Sequence, residues 1–346
     1  MYVAPRPKAI NDPLFAVRLA FACAIALLVS IVIQSQMPML VPALTVGLMA
    51  GMRKAFDMKK ALGGPVALIV IISLFYYLMS LLHGMPVLAV LVVFIIATLS
   101  YLVILKTGNP IGMLLLVSIT LMSVMGAKSL PAMLVIKDSF IEGALTALVV
   151  IPILYWWLPT VAKTPLIENY TPDQHGYHFQ RAVIRSCVML LLLAWLYTVL
   201  DTRNMILVMA AVFSLVFPTK EHQFDEAKER SLATVLGGAL ALTVLGLTNW
   251  MGHLSILITL MFLVALFLGD RMMNGRYPPM VYQFALSVMI ALTVGALTNQ
   301  EPVSATFLRI TLTLIGAVGA AYLSALLETL FLPELRIQTT WSKNPD

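Results

Sequence analysis

Apolar runs broken by short polar gaps fill this chain from end to end. They cover Ala16 to Ile33, Met37 to Met52, Ala61 to Leu82, Pro86 to Leu105, Pro110 to Ala127 and Glu142 to Leu158. A polar stretch, Pro159 to Gln180, follows. Six further runs are Ala182 to Leu200, Asn204 to Phe217, Ser231 to Trp250, His253 to Gly269, Pro279 to Leu297 and Ser304 to Leu330. A helix needs about 20 mostly apolar residues to cross a bilayer, because unsatisfied backbone groups are too costly in lipid. The pattern therefore predicts an all-helical polytopic membrane protein with about 12 spans, of which the second and eighth are short.

The stretch Phe224 to Leu242 shows how the runs are entered. It is charged at Asp225, Glu226, Lys228, Glu229 and Arg230, then passes through Ala233, Gly237 and Gly238 into apolar sequence. It reads as a junction between water and membrane, and Phe56 to Ala67, with Lys59, Lys60, Gly63 and Gly64, has the same outline. Other features recur at matching places. Arg18 opens the first run and Arg185 the seventh, Gly108-Asn109-Pro110 is echoed by Tyr277-Pro278-Pro279, and Leu158-Pro159 by Leu332-Pro333. These repeats predict two parallel six-helix modules, residues 1–158 and 182–333, with a cytoplasmic connecting segment at 159–181 and a tail at 334–346.

Composition agrees with the pattern. Hydrophobic residues make up 60% of the 346 positions and charged residues 11%, with a mean hydropathy of +0.95, which excludes an ordinary soluble globule. The net charge of +6 bears on orientation rather than on nucleic acid, because eighteen of the 22 Lys and Arg fall on one side if the spans alternate from a cytoplasmic start. Only Lys128, Lys137, Arg203 and Arg309 fall on the other, so both termini are expected inside. The basic start and long apolar run of the N-terminus are read as an uncleaved first span. Cys23 and Cys187 lie in apolar runs, so no disulfide or thiolate site is indicated.

The run Arg185 to Leu245, with RSCVMLLLLAWLY, MILVMAAVFSLVFP and FDEAKERSLATVLGGALALTVL, resembles the fusaric acid resistance and aromatic acid exporter family. The family's R-x-x-G-T-x-x-G pattern stands here as Arg230, Ala233, Thr234 and Gly237, with Ala233 where the family often has Gly. The first half matches more loosely through Lys59, Gly63 and Gly64. Larger members carry a cytoplasmic domain for which this chain has no counterpart. The resemblance implies an inner-membrane bacterial efflux component for weak organic acids that works with a periplasmic membrane-fusion (adaptor) protein, and a more distant likeness to plant malate channels, which build a pore from two subunits.

Moving an organic anion through lipid requires cations that balance its charge and, for active transport, a titratable group. Arg18, Arg185 and Arg309 are the candidate anion-binding residues. Asp138 and Glu142, four apart at the expected outer start of the sixth span, share a helix face and form a candidate proton-coupling pair, because neighbouring like charges push one pKa upward. Each has a plainer reading: Arg18 and Arg185 as cytoplasmic anchors, Arg309 as a cation reaching for headgroups, the acids as solvated interfacial groups beside Lys137. Gly47 and Gly51 form a G-x-x-x-G face which, with Gly63, Gly64, Gly237 and Gly238, is most simply assigned to close helix packing. Trp156, Trp157, Trp195 and Trp250 mark span ends.

No protease, P-loop, hydrolase-elbow or paired C-x-x-C motif is present, and His175 and His178 are a weak metal pattern in a loop. No enzyme, cofactor or metal site is expected. The expected function is proton-coupled export of aromatic or other weak-acid anions, with membrane lipids, a small organic anion, the adaptor and a further copy of the chain as partners. The rival readings are a passive organic-anion channel and an intramembrane enzyme or accessory subunit in envelope lipid handling.

Overall fold

The structure, a computed structural model, describes residues 11–162, 177–199 and 223–297 and parts of 311–331. Among the described residues ten helices follow in order: α1 Phe15–Val32, α2 Leu40–Ala50, α3 Met58–Leu82, α4 Pro86–Thr107, α5 Pro110–Lys128, α6 Leu130–Trp157, α7 His178–Val199, α8 Gln223–Met251, α9 Leu254–Asn274 and α10 Pro279–Leu297. Seven of them (α1, α3, α4, α5, α8, α9 and α10) are long and apolar enough to cross a membrane. The protein is an all-helical, multi-pass membrane protein. The run at Asn204 to Phe217 lies outside the described residues, as does much of Ser304 to Leu330.

The helix ends follow local chemistry. Asp57 caps α3, its side chain accepting from the backbone N–H of Lys59 at 3.0 Å and of Lys60 at 3.4 Å. Gly108 closes α4 in the left-handed conformation, at φ 63°, which glycine adopts without a Cβ penalty. Asn109 then caps α5 through Ile111 N–H at 3.0 Å, and Pro110 takes the first helical position, where a missing N–H costs nothing. One tripeptide thus stops one helix and starts the next.

Two expectations about boundaries change. The sixth helix begins at Leu130, not near Glu142, because Ser129 accepts from the Ala132 N–H and Pro131 is accommodated in the first turn. Asp138 and Glu142 therefore sit in the body of α6 and not at its start. The stretch from Phe224 to Leu242 is likewise one uninterrupted helix, the first two thirds of α8, so its charged half is already helical.

Packing organises the bundle around α1, α2 and α6, with α1 lying against α2, α6 and α9, and α6 against α2 and α3. Helix α8 runs along α10, α4 along α5 and α7, and α10 also reaches α2. The faces of α3 and α4 that point away from these seams carry exposed Val66, Val70, Leu74, Leu81, Val87 and Leu91, which suits contact with lipid.

Candidate functional site

The first run opens on a fully buried arginine. Arg18 lies one turn into α1, and α6 returns its C-terminal end to the same place. Nη1 of Arg18 donates to the Leu158 carbonyl at 2.8 Å, and Nη2 donates to Oδ1 of Asp12. Its guanidinium lies 4.3 Å from the centre of the Tyr155 ring, which in turn packs against Phe56. Tyr155 donates its hydroxyl hydrogen to the Met52 carbonyl at 2.7 Å, tying the end of α6 to the loop after α2. The Ala162 N–H donates to the Asn11 carbonyl at 3.2 Å and closes the segment beyond α6 onto the one before α1.

The electrostatics of this cluster are tight. Both side chains of the Asp12–Arg18 pair are withdrawn from solvent, and among the described residues Oδ2 of Asp12 and Nε of Arg18 have no hydrogen-bond partner. Burial disfavours the charged carboxylate more than Arg18 favours it, and pushes the Asp12 carboxyl up to about 6. An unpartnered buried carboxylate oxygen is costly, and a proton relieves that cost.

A second buried arginine has the same chemistry. Nε of Arg185, near the start of α7, donates to Oε1 of Glu328 at 3.1 Å, with the Glu328 side chain only 12% exposed. Sequence reasoning singled out both arginines and missed both of their carboxylates. Glu328 carried a readable signal, an acid inside an otherwise apolar run. Asp12 did not, because it precedes the helix and no periodicity links it to Arg18.

The other expected site residues are dispersed. Arg309 lies outside the described residues. Asp138 is exposed and pairs with its neighbour Lys137 at 2.9 Å, while Glu142 is half-buried and accepts from the Ser35 hydroxyl at 2.6 Å. The two share α6 but have different partners. Among the glycines, a Cβ at Gly237 would meet the Ala285 carbonyl oxygen at 2.4 Å, so α8 and α10 touch there backbone to backbone. Gly238 is buried beside it. A Cβ at Gly64 would lie 3.3 Å from Leu48, and at Gly51 3.6 Å from the Leu48 carbonyl, whereas Gly47 and Gly63 have nothing described within 4 Å. Gly269 makes a close approach that the sequence reading overlooked: a Cβ there would lie 3.0 Å from the Cα of Ala16, two residues before Arg18. Among the described residues no group of three His, Cys, Asp or Glu could hold a metal ion.

The motif at Arg230, Ala233, Thr234 and Gly237 forms one face of α8, as the spacing requires. The Arg230 guanidinium lies 4.2 Å from the centre of the Phe284 ring, Ala233 and Thr234 are buried, and Gly237 meets Ala285. It is the seam that joins α8 to α10. No curated protein and no solved structure matches the chain. Residues 190–323, which include this seam, are similar to the fusaric acid resistance protein-like family, whose model they match.

Proposed function

We propose that the protein is a proton-coupled exporter of organic anions, aromatic or other weak acids, in a bacterial inner membrane. In this reading twelve spans form two parallel six-helix modules, both termini face the cytoplasm, and a periplasmic adaptor protein receives the substrate. The observation that carries it is the pair of buried arginines, Arg18 and Arg185, each near the start of its helix and each balanced by a carboxylate. Burying such cations in a membrane protein is expensive and is retained where a charge must be bound or moved. The packing adds support: α1 lies on α9 while α4 lies on α7, the exchange of contacts that two modules related by an axis along the membrane normal would make. The family match points to transport as the class of activity. Asp138 and Glu142 on α6 are assigned the coupling proton, and Arg309 a third anion contact.

The test is export in membrane vesicles. Radiolabelled benzoate should accumulate against its gradient when a proton gradient is imposed with the electrical potential clamped. Arg18→Gln and Arg185→Gln should lower the rate at unchanged protein abundance, and Asp138→Asn should remove the response to the proton gradient. Equilibration without uphill accumulation would instead identify a passive channel.

A further inference from the structure

We propose that Asp12 occupies the place of a substrate carboxylate on Arg18, and that an incoming organic carboxylate displaces it while Asp12 leaves as the protonated acid. The proposal rests on the transport reading and deepens it by naming how the site is filled. A guanidinium binds a carboxylate through two neighbouring N–H groups. Arg18 has Nη2 on Asp12, Nη1 on the Leu158 carbonyl and a buried Nε with no described partner, so its hydrogen-bonding edge is only partly matched by the protein. Asp12 is correspondingly half-satisfied, with Oδ2 buried and without a described partner.

Charge balance explains why the exchange needs a proton. The buried pair is neutral before exchange. If a substrate anion joined an ionised Asp12, the buried site would carry a net negative charge, at a desolvation cost of several kcal/mol per ion. If Asp12 takes one proton from solvent, the site stays neutral: one carboxylate leaves Arg18 as the acid and another arrives as the anion. The rise of the Asp12 carboxyl to about 6 puts that protonation within reach of ordinary conditions.

The surrounding charges are few. The charge acting on the Asp12 carboxyl is that of Arg18. Tyr155 of α6 lies against the same guanidinium, buried Arg53 follows Met52, which accepts from Tyr155, and exposed Asp270 and Arg271 follow Gly269, which packs on Ala16. Asp12 is the carboxylate paired directly with Arg18, so it is the group an anion competes with. The proton is taken from and returned to the face on which the anion loads. The exchange thereby gates the site and is separate from the transmembrane coupling assigned to Asp138 and Glu142.

The experiment is benzoate binding to the purified full-length protein, measured calorimetrically across pH, with infrared difference spectra recorded on benzoate addition. For the wild type, linkage requires binding to weaken about tenfold for each pH unit above about 6, and a protonated-carboxyl band should appear when benzoate binds. Asp12→Asn should bind at high pH as tightly as the wild type does in acid, with a flat profile and no new band. Asp12→Glu, which keeps the competing carboxylate, should retain the slope. A flat wild-type profile, or an Asp12→Asn profile as steep as the wild type's, overturns the exchange. Uphill benzoate export together with a flat profile leaves the transport reading standing and removes the exchange. The expected slope without export does the reverse, and neither binding nor export removes both.

Discussion

Arg185 reaches Glu328 across 143 positions of the chain, pinning the start of α7 to the last described helical segment. Arg18 pins α1 to the end of α6 across 140 positions in the same manner. In each case an arginine near the start of an apolar run is what holds the far end of a later helix.

Because the Arg185–Glu328 pair is buried, removing one partner takes from the other an opposite charge it is paired with away from solvent. Glu328→Ala should destabilise the protein by about 3 kcal/mol, seen as a lower unfolding midpoint in detergent. Arg185→Met combined with Glu328→Leu should recover much of the loss. Equal loss in the single and double variants would show that the pairing is not what matters there.

The Asp12 carboxyl, raised by burial from an unfolded value of 3.8 to about 6, binds its proton more tightly in the folded protein. Its stabilising contribution is complete below the unfolded value and is lost as pH rises through about 6. The wild type should therefore lose stability relative to Asp12→Asn between about pH 4 and pH 6, by about 1.4 kcal/mol for each unit crossed. Thermal unfolding of the two proteins across that range checks the sign and the window.

Tyr155→Phe removes the hydroxyl that serves the Met52 carbonyl and keeps the ring beneath Arg18. An expected cost of about 1–2 kcal/mol follows from leaving a buried acceptor unpaired. Tyr155→Ala should cost more, about 3–5 kcal/mol, since it also opens a cavity under the guanidinium. Chemical denaturation in mild detergent separates the two.

At Gly237 an added methyl would collide with the Ala285 backbone, so Gly237→Ala should destabilise by about 1–3 kcal/mol. Gly47→Ala and Gly63→Ala, where no described atom lies within 4 Å of the new group, should be neutral or gain up to about 1 kcal/mol from helix propensity. A thermal-shift series over the three variants tests the ranking.

Much of the helical plan could be read from the residues because a bilayer demands long apolar runs and because Gly108, Asn109 and Pro110 announce their own turn. Arg18 and Arg185 were legible as costly cations in apolar surroundings. Asp12 was not, since its pairing depends on how the chain enters α1 rather than on any helical spacing. The start of α6 was misplaced because Lys137, Asp138 and Glu142 look like a boundary when read as composition. In the folded chain Asp138 faces outward beside Lys137 while Ser139 and Phe140 are buried, so the charges interrupt the apolar run without interrupting the helix. Gly269 escaped notice because its neighbour, Ala16, is far away in sequence and carries no signal of its own.

The shortness of α2, eleven residues, sets the spacing of the polar contacts that α6 makes at the two ends of α2. Tyr155 meets the loop after α2 and Glu142 meets Ser35 just before it. These two contacts are thirteen residues apart on α6, which at the helical rise is about 20 Å, against about 30 Å for bilayer hydrocarbon. Beside α2, then, these two polar contacts stand closer together than the two faces of a bilayer's hydrocarbon layer.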